Sequence, residues 1–159
     1  MRFVINILIL TSIVLLSCQN NSKNRNTSNK TEVNSESIDI PFVVAKNYFV
    51  KNSIQQLDNP KIETQTKFNE IFGIATTMGK DGMATEIDFS KQYVIAVVKP
   101  ETDLSATIEP VSLKKNEAGE VVFTYSYATG EKQTYSTRPN IAIILDKSEN
   151  GDVVIREVK

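Results

Sequence analysis

The sequence predicts a β-dominated α+β fold: an antiparallel meander of about five or more strands with one short helix. Three observations carry this. Two apolar runs, Tyr93–Val98 (YVIAVV) and Ile141–Leu145 (IAIIL), have the length and β-branched content of strands buried on both faces. Between them Val121, Phe123, Tyr125 and Tyr127 alternate with Val122, Thr124 and Ser126, the period-2 pattern of a half-buried strand. Only one stretch, at Phe68, Ile71 and Phe72, shows helical spacing.

The elements follow in order. Pro41–Val50 (PFVVAKNYFV) is apolar and rich in β-branched and aromatic residues, so it holds at least one strand, and Pro60–Glu63 is a second, short extended piece. Thr66 is the expected cap of the helix, whose apolar face is Phe68, Ile71 and Phe72 and whose stop is Gly73. Downstream, Pro100 ends the Tyr93–Val98 strand, and Ile108–Leu113 forms another, interrupted at Pro110. Asn116-Glu117-Ala118-Gly119 turns the chain into Val121–Tyr127. Thr129-Gly130 turns it again into Gln133–Thr137, and Asn150-Gly151 makes a hairpin between Ile141–Leu145 and Val153–Val158. Five strands in succession with short turns read as a meander covered by the helix.

The 159 residues include no histidine, no tryptophan and one cysteine, which excludes an intrachain disulfide and removes the commonest metal ligand and acid–base group. From Pro41 onward there are 14 basic and 16 acidic residues, so nucleic acid is not an expected partner. The chain opens with Arg2 and an apolar run, Phe3–Leu16, too short to span a bilayer as a helix but suited to a secretory signal. Gln19–Ser37 is almost wholly Asn, Ser, Thr, Lys and Glu, and cannot bury enough apolar surface to order itself. The expected division is a signal peptide over 1–17, a flexible polar tether over 18–40 and one β-rich domain over 41–159.

Leu15-Leu16-Ser17-Cys18 resembles the lipobox of bacterial lipoprotein signals. The resemblance implies cleavage before Cys18 and a covalent lipid on its thiol, the only bound group expected. Several acyl chains anchor a protein far better than one, each buried CH₂ adding about 0.8 kcal/mol. An aspartate after the cysteine would resemble an inner-membrane retention signal; Gln19 in its place implies the outer membrane in a Gram-negative cell, so the lipid bilayer is one expected partner and the cell envelope the expected location.

Candidate chemistry is sparse. Asp146, Ser148, Asn150, Gly151 and Glu157 have the spacing of an EF-hand calcium loop, but strands in place of its flanking helices favour a polar hairpin tip. Gly73–Asp81 lacks the spacing and the Ser or Thr of a phosphate loop. Ser112 and Lys115 match an S-x-x-K pair without its companion motifs. Glu86 and Asp88 could share one face of an extended segment. Tyr125, Tyr127 and Tyr135 could form an aromatic surface across two strands, and half-buried packing is the competing reading.

Three segments in order resemble the PrcB-like family of bacterial lipoproteins, and small Bacteroidota lipoproteins more broadly. They are Phe68-Asn69-Glu70-Ile71-Phe72, then Glu86-Ile87-Asp88-Phe89-Ser90-Lys91 leading into Tyr93–Val98, and Thr134-Tyr135 leading through Pro139 into Ile141–Leu145. Glu101-Thr102-Asp103-Leu104-Ser105 stands where the family has a Gly-Gly-Tyr-like element. The resemblance implies a non-enzymatic, membrane-anchored protein that binds a protein partner, an extracytoplasmic protease in the narrowest form. The surfaces expected to do so are the loops carrying Met78, Lys80, Asp81 and Met83 and carrying Glu101 and Asp103, with Tyr125 and Tyr127. A small-ligand or calcium-binding lipoprotein using residues 146–157 is the alternative, and an enzyme built on carboxylates or serine is a third.

Overall fold

In the computed structural model the described residues are 37–79 and 81–159, all within one unit, Asn34–Lys159. Their elements are β1 (Ile38–Asp39), β2 (Val43–Val44), β3 (Tyr48–Val50), β4 (Lys61–Ile62), α1 (Gln65–Ile71), β5 (Phe72–Ile74), β6 (Gln92–Val98), β7 (Thr102–Lys115), β8 (Val121–Thr137), β9 (Asn140–Asp146), a 3-10 turn (Lys147–Glu149) and β10 (Val153–Val158). The β-dominated α+β class holds, with one α-helix among the described residues.

The pairing order differs from a single meander. One sheet runs β1-β7-β8-β10 and another β2-β9-β6-β4, with a separate two-stranded ladder β3-β5. β6 pairs with β9, and β10 lies parallel to β8. The reason is a long hairpin folded over on itself. β6 and β7 lead out, β8 and β9 lead back, and the antiparallel pairing runs from Gln92↔Asp146 to Lys115↔Val121, with its turn at 116–120. The ribbon changes sheet after Val98↔Asn140, where the Lys99 amide donates to Pro139 O at 2.8 Å. Its two halves thus pack face to face.

Bulges make that fold-over possible. From Thr102↔Thr137 to Ala106↔Thr129, β8 uses eight residue steps where β7 uses four, so β8 takes the longer path around the bend. Thr129-Gly130 is therefore part of a continuous strand and not a turn. A Cβ on Gly130 would stand 2.5 Å from Ser105 Oγ, so the glycine permits a close approach. Pro110 does not end β7 either; the register shifts between Pro110 and Ser112, which leaves Val111 as the bulged residue, 56% exposed.

The β6/β9 sheet is the middle layer, which explains why both of its long strands are apolar throughout. Tyr93, Ile95, Val97, Ile141, Ile143 and Leu145 face Leu113, Val121, Phe123 and Tyr125 of the other sheet. Val94, Ala96, Ala142 and Ile144 face the opposite way, onto Phe68 and Ile71 of α1 with Val50 and Phe72 of the small ladder. Each fully buried Val, Leu, Ile or Phe among them contributes about 1.5–3 kcal/mol.

Local signals shift in three places. Thr64, not Thr66, caps α1, its Oγ1 accepting from Lys67 N at 3.2 Å. The helix ends at Ile71 because Phe72 is already extended, and Gly73 lies in β5, paired with Phe49. Asn150-Gly151 is not a hairpin tip. Asp146 Oδ1 accepts from Ser148 N at 2.8 Å, capping the 3-10 turn from which the chain crosses between sheets into β10.

At the N-terminal side, Ile38 and Asp39 pair with Lys115 and Lys114, and Ile40 is buried. The last residues of the segment expected to be tether, Ile38–Ile40, are therefore part of the folded domain. The expected signal peptide over 1–17, Cys18 and residues 19–36 lie outside the described residues.

Candidate functional site

The loop after β5 is built on Asn47, the residue between β2 and β3 with a left-handed backbone (φ 61°) that asparagine tolerates. Its carbonyl accepts from Ala75 N at 2.9 Å, and its Nδ2 donates to Asp81 O and Met83 O, both at 2.7 Å. Lys46 N donates to Thr85 Oγ1 at 2.9 Å, and Thr85 N donates to Lys46 O at 3.2 Å. The Tyr48 hydroxyl donates to Thr85 O at 2.7 Å, and burial, followed by the Glu86 carboxylate, pushes its pKa up. Within the loop, Thr77 N donates to Gly82 O at 3.0 Å, and Gly79 (φ 125°) turns the chain. A Cβ on Gly82 would fall 1.8 Å from Thr77 O.

This bonding fixes a loop that has little apolar support of its own. Met78 is wholly exposed and Met83 is 74% exposed; on the adjoining ladder Ile74 is 63% and Phe49 48% exposed. Four large apolar side chains left in water around one hydrogen-bonded loop form a surface suited to contact. Thioethers adapt their shape to a partner better than branched side chains do.

Met78, Asp81 and Met83 are thus brought together, and Lys80 lies outside the described residues. The sequence did not mark Phe49, Ile74 or Asn47. Phe49 and Ile74 sit in apolar runs that read as core, and the available signal was the asparagine between two short β-type runs.

The other singled-out residues are dispersed. Glu101 pairs with Arg138 and Asp103 with Lys132 at the bend of the folded hairpin, and 102–105 is strand where a loop was expected. Tyr125 is buried in the core cluster and Tyr127, partly buried, packs against it, so the two take the half-buried packing that was the competing reading. Lys99 Nζ lies 4.5 Å from the Tyr127 ring centroid and 2.8 Å from Glu157 Oε2, to which the Tyr125 hydroxyl also donates at 2.7 Å. Burial, then Glu157, pushes the Tyr125 hydroxyl up; the Lys99 and Tyr125 hydrogen bonds hold Glu157 below the usual carboxylate range. Tyr135 is exposed, away from both.

The calcium-loop spacing does not become a calcium-loop geometry. Asp146 caps the 3-10 turn, Asn150 Oδ1 accepts from Lys61 Nζ, and Glu157 is engaged by Lys99 and Tyr125 on β10. Among the described residues no three His, Cys, Asp or Glu side chains are grouped to hold a metal ion. Ser112 and Lys115 take opposite faces of β7, Lys115 reaching Glu149. Asp88 is turned into its own tight bend, where the Ser90 hydroxyl and amide bond its Oδ1 and lower its pKa.

Clefts occur beside α1, lined by Lys61, Glu63, Thr64 and Lys67 (about 350 Å³), and on the outer face of the β1-β7-β8-β10 sheet (about 280 Å³). No helix among the described residues is long and apolar enough to cross a membrane. Comparison with known protein families, characterised proteins and solved structures finds no match to this chain.

Proposed function

We propose that this chain is a lipoprotein of the cell envelope, anchored in the outer membrane through lipid on Cys18, whose β-rich domain binds another protein without catalysing a reaction. The signal-like start, the lipobox resemblance and the polar tether support the anchor. The single observation that carries the binding role is the loop bearing Met78 and Met83, held by Asn47, Tyr48 and Thr85 with its apolar side chains in solvent. A loop that loses the benefit of burial yet is fixed by side-chain hydrogen bonds is pre-organised for an apolar contact. The resemblance to PrcB-like lipoproteins makes an extracytoplasmic protease the favoured partner.

The experiment is chemical cross-linking of intact cells followed by affinity capture of the native protein and of the Met78→Ser/Met83→Ser variant. The expected result is an envelope protein captured with the native chain and lost with the variant, at an unchanged melting temperature. Identical capture by both, or capture by neither, contradicts the proposal.

A further inference from the structure

We infer that the cleft on the outer face of the β1-β7-β8-β10 sheet is an oxyanion site that takes a phosphate group. It is separate from the Met78 loop and does not depend on that loop's role. Strand alternation puts Leu113, Phe123 and Ile155 against the core and their neighbours Ser112, Lys114, Thr124 and Arg156 on the outer side. Ser112, Thr124 and Arg156 form one cross-strand row, since Ser112 pairs with Thr124 and Thr124 with Arg156. Lys114 and Val122 form the next row, and Asn116 closes the end of the cleft.

The floor therefore offers two hydroxyl donors between a guanidinium and an ammonium, around about 280 Å³ of space. Val122 shares this face, is itself buried and supplies the apolar part of the cleft lining. Lys114 is 3.6 Å from Asp39, but that carboxylate is 82% exposed, and an exposed pair of this kind contributes only about 0–1 kcal/mol, which a phosphate can displace. Arg156 has no ionic partner among the described residues. A tetrahedral phosphate accepts from hydroxyls and pairs with Arg and Lys at once, a combination for which the guanidinium fork is suited. The phosphate could be free or part of a lipid headgroup, and the chemistry of the cleft is the same for both.

Titration of the full chain with inorganic phosphate, followed by backbone amide shifts, tests this. Saturable shifts centred on Ser112, Thr124 and Arg156 are expected, weakened at least about tenfold in Arg156→Gln and unchanged in Lys132→Gln, which lies on the bend. In the second arm a Cys18→Ser chain, which lacks the anchor, is mixed with phosphatidylglycerol vesicles. Arg156-dependent vesicle binding assigns the headgroup as the source, and saturable phosphate binding without vesicle binding assigns free phosphate. No saturable response in either arm, or a response that Arg156→Gln leaves intact, overturns the inference.

Discussion

The Phe49 ring occupies the space a side chain at residue 73 would need: a Cβ on Gly73 would lie 2.4 Å from Phe49 Cζ. The two residues are directly paired across β3 and β5, so the glycine is what lets the ring lie flat over the ladder beside the Met78 loop. Because Phe49 is half-exposed, its ring can swing outward when displaced. Gly73→Ala is expected to change stability by less than about 1 kcal/mol while moving the ring. Urea unfolding together with the Phe49 ring resonances checks both halves of that expectation.

The loop itself depends on Asn47. Asn47→Ala removes two hydrogen bonds to Asp81 O and Met83 O and places a β-carbon residue without a polar side chain at φ 61°. The expected cost is about 1–3 kcal/mol. Hydrogen exchange is the measurement: amides of residues 75–85 exchange faster, while those of Ile95 and Ile143 change only with global stability.

Alkaline pH tests the packing of Tyr93. Burial, then the Glu149 and Glu63 carboxylates, push its hydroxyl from 10.0 up to about 12. Above pH 10 the unfolded chain loses a proton that the folded chain keeps. Stability is therefore full below pH 10 and falls as pH rises toward 12, by about 1.4 kcal/mol per pH unit from this group. Chemical unfolding over that window should show a shallower decline in Tyr93→Phe, with Tyr125 and Tyr48, raised in the same direction, contributing to what remains.

The proposed anchor has its own test. Cys18→Ser is expected to move the protein from the membrane fraction to the soluble fraction while leaving the melting temperature of the β-rich domain unchanged. Mass spectrometry of the native protein should show the added acyl mass on the peptide that begins at residue 18.

Local patterns disclosed the layers better than the topology. YVIAVV and IAIIL read as doubly buried strands, and they form the middle sheet. Their pairing with each other, across more than forty residues, leaves no local trace, because register is set by contacts distant in sequence. Gly130 and Pro110 read as breaks because both residues usually punctuate strands; here bulges absorb them, and a continuous ribbon can bend. The loop residues Met78, Asp81 and Met83 were legible because they sit in a Gly-punctuated polar stretch. Phe49 and Ile74 were not, since an apolar residue in an apolar run carries no mark of which face it takes at the end of a ladder.

The most direct test of the proposed docking loop is site-specific photo-cross-linking in intact cells, with the photoreactive group at position 78 and, as control, at exposed position 135 of β8. A discrete adduct with one envelope protein is expected from position 78, absent from position 135 and lost when Met83→Ser is added. No adduct from position 78, or the same adducts from both positions, would contradict it.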